Sequence, residues 1–231
     1  MDFPILSAGA AKGLVTALQQ AFSDDTGASI QGSFGAVGAM KEKLLAGEAC
    51  EVIILTAAMI DELTQSGHVL AGSSAPLGRV RTGIAVRSGQ PLPDISDRAA
   101  LRSSLLAAKG IYFPDAKLAT AGIHFLNVLK QLGIDSDVEP HLRPFPNGAT
   151  AMLNLAQTTE AQLIGCTQVT EIKYTKGVTL VGLLPKEFEL STVYSVAVCR
   201  KAAHPDIARR LVKLLSGRES EALRSDGGFE F

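Results

Sequence analysis

Three short stretches of this chain run an apolar segment straight into a turn made almost entirely of small residues and then into a helical pattern. They are Leu6-Ser7-Ala8-Gly9-Ala10-Ala11-Lys12-Gly13-Leu14-Val15, Phe34-Gly35-Ala36-Val37-Gly38-Ala39 and Leu118-Ala119-Thr120-Ala121-Gly122-Ile123. A strand that turns directly into a helix leaves the first helical N–H groups without partners inside the helix. The aligned peptide dipoles place partial positive charge at the same point, so each turn is a candidate anion site. The small side chains let a ligand approach the backbone closely. These turns mark Ser7, Gly9, Ala10, Lys12, Gly35, Ala36, Val37, Thr120, Ala121 and Gly122 as candidate ligand-binding residues.

Apolar and amphipathic segments alternate along much of the chain. Phe3 to Ser7 reads as a strand and Gly13 to Phe22 as a helix with Leu14, Leu18 and Phe22 on one side. Ser29 to Phe34 reads as a second strand. Val52-Ile53-Ile54-Leu55 is apolar throughout, the pattern of a strand covered on both faces. Gly110 to Phe113, Gln162 to Cys166 and Thr192 to Val198 read as further strands, with helices over 96–106, 122–132, 148–155 and 205–215. Strands and helices joined by short turns predict βα units with a mostly parallel sheet, in which ligands sit at the carboxyl ends of the strands. The polar, proline-bearing stretch Arg87 to Asp94 follows the strand Thr82–Val86 and marks a crossing into a second lobe. The expected organisation is residues 1–82 with 196–231 as one lobe and 83–195 as the other.

Composition narrows the function. The 231 residues are 46% hydrophobic and 19% charged, with a formal net charge of −1, so nothing attracts the chain as a whole to nucleic acid or to anionic lipid. No apolar run approaches the roughly 18 residues that span a bilayer, and the N-terminus has no basic region followed by a long apolar core. As written the chain reads as cytoplasmic, or as periplasmic if a leader has been removed. Cys50, Cys166 and Cys199 have no metal or redox spacing and read as buried thiols, and the scattered His68, His141 and His204 offer no metal site. No Gly-x-Ser-x-Gly elbow and no phosphate-loop Gly-Lys-Ser/Thr is present, which argues against a nucleophilic hydrolase and an NTPase.

Taken in order, the Ser-Ala-Gly-Ala-Ala turn, Ser33-Phe34-Gly35, Leu45-Ala46-Gly47-Glu48, Thr120-Ala121-Gly122-Ile123 and the terminal Gly227-Gly228-Phe229 resemble the molybdate-binding type of ABC-transporter solute-binding protein. The resemblance covers essentially the whole chain. It implies an α/β, two-lobed, type II periplasmic-binding-protein fold, each lobe a mostly parallel sheet flanked by helices and joined to the other by two crossover strands. It also implies a small anion clamped between the lobes, an ABC permease as partner and no cofactor. Molybdate binders of this type use a serine at each of the first two turns and a tyrosine from the second lobe. Here Ala10 and Val37 stand at the serine positions and Thr167 at the tyrosine position, while backbone donors survive at Ala121 and around Gly148. Each lost charge-assisted bond is worth roughly 1.5–3 kcal/mol, which disfavours molybdate itself.

Other residues suit a carboxylate. Lys12 lies in the first helical turn, His124 follows the third small-residue turn, and Arg79 and Arg81 precede the crossover strand, on one face of an extended segment and so expected to share a destination. These features are similar to those of the aconitate-isomerase relatives of the molybdate binders. The alternative function is therefore a cofactor-independent isomerase of an unsaturated polycarboxylate, with His124 as proton carrier. Glu171 and Lys173 read as a surface pair, and Tyr194 as a core residue of the return strand.

Overall fold

The computed structural model describes all 231 residues, Met1–Phe231. In chain order the elements are β1 (Asp2–Ala8), α1 (Lys12–Thr26), β2 (Ser29–Gly35), α2 (Val37–Leu45), β3 (Val52–Thr56), α3 (Ala57–Gln65) and β4 (Ala75–Arg87). They continue with α4 (Arg98–Ala107), β5 (Gly110–Pro114), α5 (Thr120–Leu132), α6 (Asp135–Val138), β6 (Leu142–Phe145), α7 (Gly148–Gln157), β7 (Leu163–Gln168) and α8 (Val169–Tyr174). The chain closes with β8 (Val178–Leu183), β9 (Ser191–Val198), α9 (Pro205–Ser216) and α10 (Glu221–Asp226). Two compact units result, residues 1–80 with 192–231 and residues 81–191. Strand β4 is a single 13-residue strand that begins at Ala75, whereas the sequence pattern marks a strand only from Thr82.

In the first unit β1 pairs in parallel with β2 on one side and β3 on the other, and β9 runs antiparallel to β3 with Val52 opposite Val198. Val52, Ile53, Ile54 and Leu55 are all fully buried, as their unbroken apolar run predicts. Helix α1 ends where Gly27 takes φ +69° and its N–H bonds the Ser23 carbonyl at 2.8 Å, a left-handed cap that a side chain would strain. Helix α9 starts with Pro205 at its first position and buries Ala208, Leu211, Val212 and Leu215, spaced to share one face. Phe22 of α1 packs edge-on against Phe3 of β1, ring centres 5.2 Å apart.

The second unit centres on β5, with β6 and β7 parallel to it on either side. Strand β7 continues to β4, which is antiparallel to both β7 and β8. One face carries a core of Ile84, Ile111, Phe113, Ile164 and Cys166 under Leu101, Leu105, Phe125, Val128 and Leu129 of α4 and α5. The other packs Ala85, Tyr112 and Leu163 against Ala151, Met152 and Leu155 of α7. Even-numbered β4 and β7 residues therefore look toward α5, and odd-numbered ones toward α7. The sequence reading had no element for β8 or α8. Strand β8 escapes because all six of its residues are only partly buried, so its pattern carries no clear period.

All three cysteines are free and buried. No helix is long and apolar enough to cross a membrane. Ile53 is fully buried in β3, which lies between β1 and β9, so a cavity there is costly. Ile53→Ala is expected to destabilise the protein by about 2–5 kcal/mol, read as a lowered urea midpoint with an unchanged slope.

Candidate functional site

The small-residue turns of the first unit fall side by side. Ala8 and Gly35 are register partners at the carboxyl ends of the parallel β1 and β2, so the turn after each strand emerges from the same edge of the sheet. After Ala8 a single tight turn over Gly9–Ala11 leads into α1 at Lys12, and after Gly35 the extended Ala36 leads directly into α2 at Val37. Neither helix start is capped by a side chain, and both are lined by buried Gly9, Ala10, Ala36 and Val37. Ser7 is fully buried and its hydroxyl donates to the Ala8 carbonyl at 3.0 Å, which ties that donor to the turn itself. The Lys12 ammonium lies 5.9 Å above the Phe34 ring, so it leans across from α1 to the β2 edge.

The second unit repeats the arrangement at the ends of its parallel strands. Thr120, Ala121 and Gly122 open α5 beyond β5, Gly148 opens α7 beyond β6, and Thr167 lies near the end of β7. Helix α5 again lacks a side-chain cap. The Asp115 carboxylate instead shapes the preceding loop, accepting from the amides of Lys117 and Leu118 at 2.7 Å each. Gly122 is dictated by closeness: a Cβ there would stand 2.2 Å from the carbonyl oxygens of Pro114 and Asp115. By contrast α3, α4 and α7 are capped by Thr56, Asp97 and Asn147, whose side chains accept from Met59, Ala100 and Thr150 amides. The uncapped starts of α1, α2 and α5 are the three turns that the sequence singles out, although α6, α8, α9 and α10 also begin without a side-chain cap.

The start of α7 is different in one further respect. Glu171, expected on the surface beside Lys173, is 5% exposed and turns its carboxylate onto this helix start. Oε1 accepts from the Ala149 amide at 3.2 Å and Oε2 from the Thr167 hydroxyl at 2.5 Å. A Cβ on Gly148 would sit 2.0 Å from both the Glu171 and Thr167 oxygens, so glycine is required there because the chain's own carboxylate occupies the space. The amides around Gly148 are thus met by a carboxyl group of the chain itself. Burial pushes the Glu171 carboxyl above its usual range, while the Thr167 hydroxyl and the Ala149, Gln168 and Gly148 amides pull it back down.

Thr167 and Glu171 lie in a mostly polar run, Thr167-Gln168-Val169-Thr170-Glu171, that begins at the end of the otherwise apolar β7. That abrupt switch is the sequence signal that points to them. Gln168 and Thr170 are buried in the same run, and the Gln168 side-chain oxygen and nitrogen and the Thr170 hydroxyl have no hydrogen-bond partner. A buried group left in that state costs roughly 1–3 kcal/mol. The histidine and arginines go elsewhere. His124 Nε2 lies 2.7 Å from the Phe188 carbonyl. A carbonyl only accepts, so Nε2 carries the hydrogen and Nδ1 is the basic nitrogen of the neutral ring. Arg79 and Arg81 do not share a destination. Arg79 pairs with the C-terminal segment, bonding Glu230 backbone to backbone and reaching the Phe231 oxygen at 3.4 Å, whereas Arg81 meets Glu189 at 3.4 Å. The reason is that β4 passes from one compact unit to the other between them. A cavity of about 400 Å³ lined by Val86, Leu92, Ser104 and Leu163 is at the amino end of β7, and none of the turn residues lines it.

The model of the family described as bacterial extracellular solute-binding protein matches residues 3–230. The chain belongs to this family. Among proteins similar to it, an aconitate isomerase from Pseudomonas sp is 28% identical over 98% of this chain and 86% of that protein. The periplasmic molybdate-binding protein of Azotobacter vinelandii has the same fold, with a TM-score of 0.79 and 17% identity over 99% of each chain. The sulfate-binding protein SubI of Mycobacterium tuberculosis H37Rv superposes with a TM-score of 0.75 and 17% identity, over 99% of this chain and 86% of that one. The solute-binding family thus agrees with the resemblance carried by the small-residue turns.

The Glu171 arrangement has a pH signature. A carboxyl raised in the folded state binds its proton more tightly there than in the unfolded chain, so its contribution to stability is fullest at low pH. That contribution is lost as pH rises from the unfolded carboxyl range through the folded value. Glu171→Gln keeps an acceptor for Ala149 and can donate to Thr167. It is expected to raise the melting temperature relative to the parent at pH 7–8, with the difference closing toward pH 4, in thermal melts across that range.

Proposed function

We propose that this solute-binding protein is a receptor for a small organic anion, a carboxylate in preference to a tetrahedral oxyanion, and that it delivers its ligand to a membrane permease of the ABC type. The observation that carries this reading is the set of helix starts without side-chain caps at α1, α2 and α5, all at carboxyl ends of strands. The ligand-contacting set is Ser7, Gly9, Ala10 and Lys12 at the first turn, Gly35, Ala36 and Val37 at the second, and Thr120, Ala121 and Gly122 at the third; Gly148, Thr167 and Arg81, which the sequence also marks, are engaged by Glu171 and Glu189 instead. Main-chain amides do most of the binding. Lys12 adds a charge that lies against the helix dipole, which a bound anion would offset. Ala10 and Val37 offer no hydroxyl to a tetrahedral ion, and the amides at α7 are already held by Glu171. Both features favour a ligand bound through carboxylates.

A second reading is supported by the 28% identity to an aconitate isomerase along nearly the whole chain. In it, a proton is taken from one carbon of an unsaturated polycarboxylate and returned at another, with no net change in composition. His124, through its basic Nδ1, is the carrier in that scheme, and amides at the helix starts stabilise the enolate-like charge.

A thermal-shift panel separates the ligand classes, because a ligand that binds only the folded form stabilises it by about 2.7 kcal/mol at a hundred times its Kd. Citrate or an aconitate isomer is expected to raise the melting temperature more than molybdate or sulfate at equal concentration. A response to molybdate or sulfate alone would overturn the carboxylate preference, and no response to any anion would overturn the receptor reading. Incubation with cis-aconitate from pH 5 to 9 is expected to yield no trans isomer; its appearance would move the assignment to the enzyme.

A further inference from the structure

The buried polar atoms that the second unit leaves unsatisfied include both atoms of one side-chain amide and a hydroxyl directly opposite it. Thr82 of β4 and Gln168 of β7 are cross-strand partners, 1% and 3% exposed. Residues so paired place their side chains on one face with Cβ atoms about 4.5–5.5 Å apart. Even so, the Thr82 hydroxyl and the Gln168 oxygen and nitrogen reach neither each other nor any other group. Ile84 and Cys166 are two residues from Thr82 and Gln168 on the same strands, and both belong to the core under α5. Thr82 and Gln168 therefore face the same side, at the carboxyl end of β7, the side of the sheet that carries α5 and its uncapped first turn of Thr120, Ala121 and Gly122.

The chemistry of an orphaned amide restricts what can satisfy it. Gln168 presents one group that needs an acceptor and one that needs a donor, and exchanging its oxygen and nitrogen changes nothing, since both are unmet. A fully deprotonated oxyanion carries acceptors only and would leave the Gln168 carbonyl without a donor. A group that both donates and accepts satisfies all three atoms with the Thr82 hydroxyl rotating to suit. On the other face of the same strand end the Glu171 carboxylate fills the amides at α7, so no second amide set is offered there to a dianion.

We propose that Gln168 and Thr82 form a recognition site for a hydroxyl or protonated carboxyl group of an organic acid, and that this site sets the ligand class by rejecting all-acceptor oxyanions. The inference rests on the anion-receptor reading and deepens it.

Two titration arms at different pH separate the sources of that group. At pH 8, calorimetric titrations compare hydroxy acids with their deoxy counterparts: citrate with propane-1,2,3-tricarboxylate, and malate with succinate. At pH 5 the deoxy acids are partly protonated and supply the group themselves. The expected result is at least a tenfold preference for one hydroxy acid at pH 8, or at least a tenfold gain for one deoxy acid between pH 8 and pH 5. Gln168→Leu and the near-isosteric Thr82→Val should each reduce that ratio below threefold. In the ¹⁵N-labelled parent, the Gln168 side-chain NH₂ resonance, identified by its loss in Gln168→Leu, should move with the preferred acid and stay put with sulfate. Organic acids that bind equally well to the parent and both variants, with the NH₂ resonance unmoved, would show a site filled by buried water only and would overturn the proposal while leaving the receptor reading intact. Sulfate or molybdate moving that resonance would overturn it too. A thermal response to no anion at all would defeat both.

Discussion

Every α-helix begins with amide hydrogens that its own ladder cannot satisfy, and how this chain meets that demand organises everything else about it. Where α3, α4 and α7 begin, Thr56, Asp97 and Asn147 fold back and accept a backbone hydrogen. Where α1, α2 and α5 begin, the residues are alanines that can accept nothing through their side chains. The backbone differs in part, since Ala11 before α1 is already helical while Thr56, Asp97 and Asn147 are extended. The decisive difference is the side chain: a self-satisfied helix start is finished, and an alanine-lined one is left to water or to a ligand. The parallel register that sets Ala8 beside Gly35 brings two such starts to one sheet edge.

Glu171 shows a third solution. The α7 start has an Asn147 cap and, beside it, a carboxylate brought in from α8 and fixed by Thr167 and the Ala149 amide. Burial works against its charge, and the converging donors work for it. Gly148 has no side chain because that carboxylate needs the room. At Gly122 and Gly148 alike, the glycine at a helix start makes room for other atoms of the same chain.

Much of the architecture is legible in the sequence because burial leaves a plain pattern. The unbroken Val52-Ile53-Ile54-Leu55 run is a strand buried on both faces, and the spacing of Ala208, Leu211, Val212 and Leu215 gives the inner face of α9. The early part of β4 was missed because Gly78, Arg79 and Arg81 interrupt its alternation, although Leu77 and Val80 are fully buried. Arg79 and Arg81 alternate correctly on one strand, yet part company because that strand leaves one compact unit for the other between them. Periodicity describes a local face and carries no information about what lies opposite it.

The sequence by itself determined which turns could present bare amides, because Gly, Ala, Ser and Thr directly after an apolar strand restrict both backbone and bulk. It likewise determined the α/β class, through the alternation of apolar runs and amphipathic stretches. Only the tertiary structure decided that Glu171 is an internal ligand rather than a surface charge, that His124 spends one nitrogen on the Phe188 carbonyl, and that Gln168 faces Thr82 with nothing between them to bond. Those outcomes depend on groups far apart in sequence meeting at a distance of a few ångströms. Hydrogen bonding is decided at that range, and a one-dimensional pattern records only which groups are available for it.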